Sequence, residues 1–260
     1  MKELLNVDSL KKYFKIEKMA VETGGTVRAV DGISFSLEQG KILAIVGESG
    51  SGKTTAARCI AGLEHPDSGK IFLYERPVDY SKLKTRRKVQ YIFQDTFGSL
   101  NPRMKVFDIL AEPLKYHFAK TKETARPDVI HALAGIGMSP NMGHKYPHEL
   151  SGGQRQRIGI ARALTMRPSL IIADEPVSSL DVSIQAQILR LFTELNKRGI
   201  SVIFITHDLR VVKNLADDII VMEKGKIVEK GEVDKVYSAP KSDYTKLLLS
   251  SIPGSPYKFR

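Results

Sequence analysis

A glycine-rich loop between an apolar run and a helix constrains the fold of this chain more than any other stretch. Residues 47–55 read GESGSGKTT and fill the spacing G-x-x-x-x-G-K-[ST]. The apolar run 42–46 before the loop is typical of a strand buried on both faces, and residues 56–61 after it favour a helix. A strand, a glycine loop and a helix in this order predict a site that binds phosphate groups at the helix N-terminus.

The residue types in this loop suit the chemistry of phosphate binding. Glycines let backbone N–H groups turn toward a phosphate, and the helix that follows adds the positive end of its dipole. We expect Lys53 to reach the β- and γ-phosphates and the Thr54 hydroxyl to ligate Mg²⁺. A glycine-rich turn that binds nothing is the alternative, and the flanking strand and helix argue against it. The predicted phosphate-binding residues are Gly47, Glu48, Ser49, Gly50, Ser51, Gly52, Lys53, Thr54 and Thr55.

Composition excludes several other classes of protein. The 260 residues are 42% hydrophobic, as in ordinary globular proteins, and no apolar run approaches the roughly 18 residues of a membrane span. The single cysteine, Cys59, excludes an internal disulfide, and the charged N-terminus has no signal-peptide core. We therefore expect a protein of the cytoplasm. Its net charge of +11 suits nucleic acid or anionic lipid as a partner, but composition alone favours the alternative of a solvated basic surface.

The character of the chain changes after about residue 94. Residues 4–93 are rich in short strands, because apolar and polar residues alternate, whereas residues 95–150 read as helical. We interpret the second stretch as a helical subdomain inserted into an α/β core. Prolines are expected to break its helices at Pro113, Pro127 and Pro140.

A second anion-binding helix start is predicted at LSGGQ, residues 150–154. The run 155–166 has helical spacing, so Ser151 and the two glycines after it stand at a helix N-terminus. An ordinary serine N-cap is the alternative. Asp181 likewise precedes a predicted amphipathic helix at 184–197.

Polar residues lie at the carboxyl ends of three predicted strands, where α/β proteins gather ligand contacts. Asp174 and Glu175 end one of these strands, Gln94 ends a second, and His207 a third. Asp174 suits the ligand shell of Mg²⁺, and Glu175 suits a base that polarises an attacking water. A solvated acidic turn and a structural histidine are the alternatives.

Taken in order, these motifs resemble the ATP-binding subunits of ABC transporters, over residues from about 4 to 237. LSGGQ is the most specific of them, because other loop-type ATPases lack it. The resemblance implies an α/β fold with a RecA-like P-loop NTPase core, an N-terminal antiparallel β subdomain and an inserted α-helical subdomain. It places the core at 1–94 and 154–231, the helical subdomain at 95–153, and a C-terminal extension of the oligopeptide-importer type at 232–260.

The resemblance also implies roles for the site residues. Two such subunits would bind ATP between them, with the glycine loop of one facing Ser151, Gly152, Gly153 and Gln154 of the other. Phe14, or less favourably Tyr13, would stack on adenine, although burial in the core is the commoner fate of such aromatic residues. The implied catalytic residues are Glu175, His207 and Lys53; the implied metal ligands are Thr54, Gln94 and Asp174; and Asp181 is counted among the nucleotide-binding residues.

Three stretches resemble the branch of the family that serves oligopeptide, dipeptide and nickel importers: 94–103, 174–189 and 243–253. Departures from that branch occur at Thr96, where it usually has proline, and at Ser242-Asp243, where it often has His-Pro. This resemblance implies an ATPase, with ATP and Mg²⁺ as cofactors, that powers uptake of peptides or nickel.

The same branch implies partners and a location. A second ABC ATPase subunit, identical or paralogous, two transmembrane permease subunits and an extracytoplasmic solute-binding protein are expected, with no nucleic acid. The chain would lie peripherally on the cytoplasmic side of the cell membrane. A non-transport ABC ATPase, such as one resembling the ATPase of the carbon–phosphorus lyase complex, is the alternative.

Overall fold

The computed structural model describes residues 2–15, 25–94 and 96–252. The chain divides into two compact units, one formed by Met1–Asp79 with Ser201–Arg260 and the other by Tyr80–Ile200. The predicted boundaries of the inserted helical subdomain, 95–153, stay a prediction. Within the described ranges, no helix is both long enough and apolar enough to cross a membrane.

The described residues contain ten strands, numbered along the chain. They are β1 Glu3–Lys15, β2 Thr26–Glu38, β3 Ile42–Val46, β4 Ser68–Leu73, β5 Arg76–Pro77, β6 Val89–Ile92, β7 Leu170–Asp174, β8 Ser201–Thr206, β9 Asp218–Glu223 and β10 Lys226–Glu232.

The same residues contain ten α-helices. They are α1 Lys53–Ile60, α2 Leu83–Lys88, α3 Thr96–Ser99, α4 Val106–Phe118, α5 Lys122–Gly135, α6 Gly152–Leu164, α7 Val182–Lys197, α8 Leu209–Val212, α9 Val233–Ser238 and α10 Asp243–Ser250. Short 3₁₀ turns lie at Pro140–His144 and Pro147–Glu149.

The first unit holds an antiparallel sheet in the order β2-β1-β4-β5. Burial alternates along residues 32–37 of β2, where Ile33, Phe35 and Leu37 are buried and the residues between them are exposed, so one face of this strand packs inward. The predicted half-buried strand is thus confirmed, and it is much longer than the short strands expected from the sequence.

A second group of strands in the first unit has the order β10-β9-β3-β8. β3 pairs in parallel with both β8 and β9, and all five of its residues are buried. A strand that has neighbours on both edges and is buried on both faces has a continuous apolar sequence, as residues 42–46 do. β9 and β10 form the predicted antiparallel hairpin.

The C-terminal helices of the first unit pack on an apolar cluster beside these strands. Val233 and Val236 of α9 and Leu249 of α10 are buried there, together with Val46 of β3 and Val221 of β9. The tail beyond residue 232, predicted only as an extension, therefore shares a core with the strand that leads into the glycine loop.

In the second unit, β6 and β7 pair in parallel, with Ile92 opposite Ala173. α7 buries the predicted apolar face of Ile188, Leu191, Phe192 and Leu195. It ends before Gly199, whose φ of 89° is the left-handed conformation that suits a residue just after a helix.

The predicted breaks at Pro113 and Pro127 are wrong. Pro113 lies inside α4 and Pro127 inside α5, and the chain turns between these helices at Ala119, which has a φ of 53°. A proline inside a helix costs about 3 kcal/mol, because it removes a hydrogen bond and crowds the preceding turn. Burial of four apolar side chains along α4 opposes this cost: Val106, Ile109, Leu110 and Leu114.

We predict that Gly225→Ala destabilises the protein more than Gly40→Ala. Both glycines have φ near 80°, so alanine brings a similar backbone strain of about 1–2 kcal/mol to each. A Cβ at Gly225 would lie 2.5 Å from the Arg28 carbonyl oxygen, whereas one at Gly40 would meet nothing within 4 Å. The crowding should add roughly 1–3 kcal/mol, or on the order of 3–10 °C in the midpoint of thermal unfolding. Equal midpoints for the two variants would contradict this.

Candidate functional site

The glycine loop runs from the end of β3 to the start of α1, in close contact with other backbone segments. Gly47 has a φ of 149°, and a Cβ there would lie 2.2 Å from the Met222 carbonyl oxygen. Gly52 has a φ of 101°, and its Cβ would lie 2.0 Å from the Ala29 carbonyl oxygen. Both contacts are too short for any side chain, so glycine is required at each position for reasons of space as well as of conformation.

Lys53 extends its side chain back across the loop. Its Nζ donates to the carbonyl oxygens of Gly47 at 2.8 Å and Glu48 at 2.7 Å, and to Ser51 Oγ at 3.3 Å. The lysine is 5% exposed, so its charge is held within the loop. The N-cap of α1 is Gly52, which has no side chain to cap the helix, so this helix start suits an anion.

The aromatic pair predicted near adenine lies on β1. The Tyr13 hydroxyl donates to Asp31 Oδ1 at 2.6 Å, and this bond raises the pKa of Tyr13 and lowers the pKa of Asp31. Phe14 is 41% exposed, with the Lys12 ammonium 5.2 Å from its ring centre. The exposed ring of Phe14 is better suited to stacking on adenine than the ring of Tyr13, whose hydroxyl is hydrogen-bonded to Asp31. The stacking role itself stays a prediction.

His207 directly follows β8, as expected. The next residue, Asp208, is paired with Arg210 at 2.7 Å, and the hydrogen bond with Arg210 lowers the pKa of Asp208. His207 lines a cavity of about 350 Å³ together with Leu248 and Ile252 from the C-terminal end of the first unit. The first unit therefore contains the glycine loop, the aromatic pair and His207.

Glu175 of the second unit has an unusual backbone conformation. Its φ is 45°, in the left-handed region that a residue with a long side chain rarely adopts. The Glu175 carbonyl oxygen accepts two hydrogen bonds from Ser178, one from the backbone N–H at 3.3 Å and one from the side-chain hydroxyl at 3.1 Å. Its side chain accepts from Gln94 Nε2 at 2.9 Å. Such strain persists where surrounding contacts impose it, which is common at active sites.

Asp174 is nearly buried, at 4% exposure, and accepts from the Tyr91 hydroxyl at 2.7 Å. A buried carboxylate needs such a donor, because burial without partners is costly. The sequence reasoning missed Tyr91. Its position on β6, paired with Ile172 two residues before Asp174, could have identified it once β6 and β7 were taken as neighbours.

The LSGGQ stretch forms the start of α6. Ser151 is the N-cap: its Oγ accepts from Gln154 N at 3.3 Å, and its own N–H donates to Gln154 Oε1 at 3.0 Å. Ser151 and Gly152 are exposed, whereas Gly153 is buried. A Cβ at Gly153 would lie 2.3 Å from a methyl carbon of Ile184, so this glycine permits α6 and α7 to approach closely.

Asp181 is the N-cap of α7, since its Oδ1 accepts from Ile184 N at 2.9 Å. In the second unit, Gln94 and Glu175 are therefore hydrogen-bonded to each other, and Ser151 and Asp181 each cap the start of a helix. A structural role is clear for Ser151, Gly153 and Asp181. Their predicted contacts with a nucleotide stay predictions.

The residues present fit a nucleotide triphosphate and Mg²⁺. The loop leaves no room for side chains at Gly47 and Gly52 and holds a lysine ammonium, which suits phosphate oxygens. Thr54 in the first unit has a hydroxyl and Asp174 in the second has a carboxylate, and each is a hard oxygen ligand of the kind that Mg²⁺ prefers. Among the described residues, no group of three or more His, Cys, Asp or Glu side chains could hold a metal. Mg²⁺ usually takes few protein ligands and keeps several waters.

A parallel sheet whose central strand leads into such a loop defines a P-loop nucleotide-binding protein. The chain belongs to the ABC transporter family, since residues 30–178 match the family model described as "ABC transporter". The predicted family and fold class are confirmed. Proteins of this family hydrolyse ATP, and the chain is an ATPase of this kind.

Curated relatives match nearly the whole chain. It is 44% identical over 256 residues to the dipeptide transport ATP-binding protein DppF of Escherichia coli, covering 96% of this chain and 76% of that protein. It is 48% identical over 258 residues to the oligopeptide transport ATP-binding protein OppF of Bacillus subtilis, covering 96% and 83%. The corresponding OppF of Salmonella typhimurium is 46% identical over 261 residues, covering 97% and 78%.

Solved ABC cassettes have the same fold. The structure is similar to cbiO1 from Clostridium perfringens, part of the ABC transporter complex cbiONQ, with a TM-score of 0.77 and 29% identity, covering 92% of each chain. It is also similar to the ATP-binding cassette MJ0796, solved as a dimer in a post-hydrolysis state with ADP and Pi. That match has a TM-score of 0.76 and 28% identity, and covers 88% of this chain and 99% of that one.

We predict that Glu175→Gln keeps ATP binding and nearly abolishes turnover. The amide preserves the size of the side chain but cannot accept a proton, and loss of a general base typically costs about 10²–10⁴-fold in rate. Phosphate release should fall by that factor, while the affinity for a fluorescent ATP analogue stays within about threefold of wild type. The matched control is Glu194→Gln on the exposed face of α7, which should keep full activity. Near-normal hydrolysis by Glu175→Gln would refute the role of Glu175.

We predict that Lys53→Ala weakens nucleotide binding itself. Hydrogen bonds to a charged group contribute about 1.5–3 kcal/mol, so the Kd for ATP should rise on the order of 10- to 100-fold. Titration with a fluorescent ATP analogue measures this. Lys213→Ala removes the same charge from an exposed position and serves as the control. Unaltered ATP affinity in Lys53→Ala would count against the loop as the phosphate site.

Proposed function

We propose that this chain is the ATPase subunit of an importer of dipeptides or oligopeptides at the cytoplasmic face of the cell membrane. The observation that carries the proposal is the identity of 44–48% with dipeptide and oligopeptide transport ATP-binding proteins, over nearly the whole chain. ATP would drive association of two such subunits, and this association would act on the permease.

Within one subunit, we assign the following roles in ATP hydrolysis to residues of the two units. The glycine loop and Lys53 bind the phosphates, and Glu175, oriented by Gln94, polarises the attacking water. His207 holds the γ-phosphate and that water in line. Thr54, Asp174 and Gln94 would hold Mg²⁺, which would supply positive charge beside the phosphates when bound. Phosphoryl transfer depends mainly on such positioning and charge stabilisation.

The start of α6 supports a shared nucleotide site. Ser151 and Gly152 are exposed at a helix N-terminus, which favours an anion supplied from outside the subunit. We assign that anion to the γ-phosphate of ATP bound by a second ABC ATPase subunit, identical or paralogous. MJ0796, the similar cassette, was solved as a dimer.

The remaining partners follow from the importer assignment. Two permease subunits would contact the helical subdomain at 95–153, and a solute-binding protein would deliver cargo on the other side of the membrane. Nickel as cargo, and a non-transport ATPase of the carbon–phosphorus lyase type, are the competing outcomes. The named peptide transport relatives favour peptides over both.

Co-purification from membranes tests the proposal. The tagged Glu175→Gln chain, extracted with detergent and ATP, should co-purify with multi-span permeases. In the reconstituted complex, di- or oligopeptides with their binding protein should stimulate ATP hydrolysis by the wild-type chain, and Ni²⁺ should not. Purely soluble partners would refute the importer, and stimulation by Ni²⁺ alone would refute the peptide cargo.

A further inference from the structure

The C-terminal helix α10 contacts the glycine loop directly. The backbone N–H of Glu48, the second residue of the loop, donates to the Tyr244 hydroxyl at 3.1 Å. Burial raises the pKa of Tyr244, so this hydroxyl stays protonated at neutral pH. The two residues are 196 positions apart in the sequence, and both lie in the first unit.

The start of α10 is fixed by a buried carboxylate. Glu229 on β10 is 9% exposed and accepts from the backbone N–H groups of Lys241 at 2.8 Å and Ser242 at 3.0 Å. These two residues directly precede the helix, whose N-cap is Ser242. Glu229 therefore determines where α10 begins and, with it, where Tyr244 lies.

Apolar contacts fix the rest of the C-terminal segment. Leu249 of α10 is 2% exposed and belongs to the same cluster as Val46, the residue that precedes the loop. In α9, the Tyr237 hydroxyl donates to the Leu209 carbonyl oxygen at 2.5 Å, two residues beyond His207. Tyr244 thus projects from a segment anchored at several points.

Two hydrogen bonds connect the glycine loop to later segments of the first unit. The backbone N–H of Gly225 donates to the Ser51 carbonyl oxygen at 3.0 Å, in the middle of the loop. Tyr244 holds the beginning of the loop through Glu48. A loop fixed before its ligand arrives loses less conformational entropy on binding, so each such contact favours affinity.

We propose that Tyr244 is a positioning residue for the glycine loop, and that Glu229 and α10 hold it in place, so that the C-terminal segment pre-orders the loop for ATP. Tyr244 acts through the backbone of Glu48 and does not touch the reacting atoms. The proposal concerns ATP binding by the chain alone and is independent of the cargo.

Tyr244→Phe tests the proposal, because it keeps the ring and removes only the hydroxyl. The lost hydrogen bond is exposed to solvent, so we expect a rise of only roughly two- to fivefold in the Kd for a fluorescent ATP analogue. The KM for ATP should rise similarly, with kcat within about twofold and the midpoint of thermal unfolding within about 2 °C of wild type.

A matched control lies on the same helix. The Ser250 hydroxyl donates to the Leu247 carbonyl oxygen within α10 at 2.6 Å, so Ser250→Ala removes a hydroxyl without affecting the loop and should leave Kd and KM unchanged. Glu229→Gln leaves one acceptor oxygen where two are used, and should raise Kd in the same direction as Tyr244→Phe.

Three results would overturn the proposal. The first is a Tyr244→Phe protein with the Kd and KM of the wild type. The second is a loss of affinity accompanied by a fall of more than about 5 °C in the unfolding midpoint, since lost stability would then explain it. The third is an equal loss in Ser250→Ala. The measurements need no permease or peptide, so their failure would leave the importer proposal intact.

Discussion

The fold of the first unit depends on backbone segments that approach too closely for side chains. Gly47 lies against the carbonyl of Met222, Gly52 against that of Ala29, and Gly225 against that of Arg28. The first two contacts join the glycine loop to β9 and to β2, and the third joins β2 to the turn between β9 and β10. Since the segments come from distant parts of the sequence, the conformation of the loop depends on packing across the whole first unit.

In the second unit, the polar ends of buried strands are held by specific partners. The Asp174 carboxylate accepts a hydrogen bond from Tyr91, and the Glu175 carboxylate accepts one from Gln94. Glu175 also keeps a left-handed backbone conformation that costs energy. A carboxylate fixed by both its backbone and its side chain needs little reorganisation during a reaction, which suits the catalytic role proposed for Glu175.

The sequence predicted those features that depend on local pattern. The apolar run of β3, the helix start after Ser151 and the order of strand, glycine loop and helix all follow from neighbouring residues. The sequence did not predict the features that depend on contacts between distant residues. Proline at 113 suggested a break, but burial along α4 outweighs the local cost. Tyr91 and Tyr244 have no local signal, because their partners lie 83 and 196 positions away.

The position of β3 has a consequence for synthesis of the protein. Its two neighbours, β8 and β9, both belong to the last quarter of the chain, and α10 comes later still. Two strands that are far apart in the sequence cannot pair until the later one has left the ribosome. The nascent chain therefore carries its glycine loop without the strands that flank β3 until β8 and β9 have emerged.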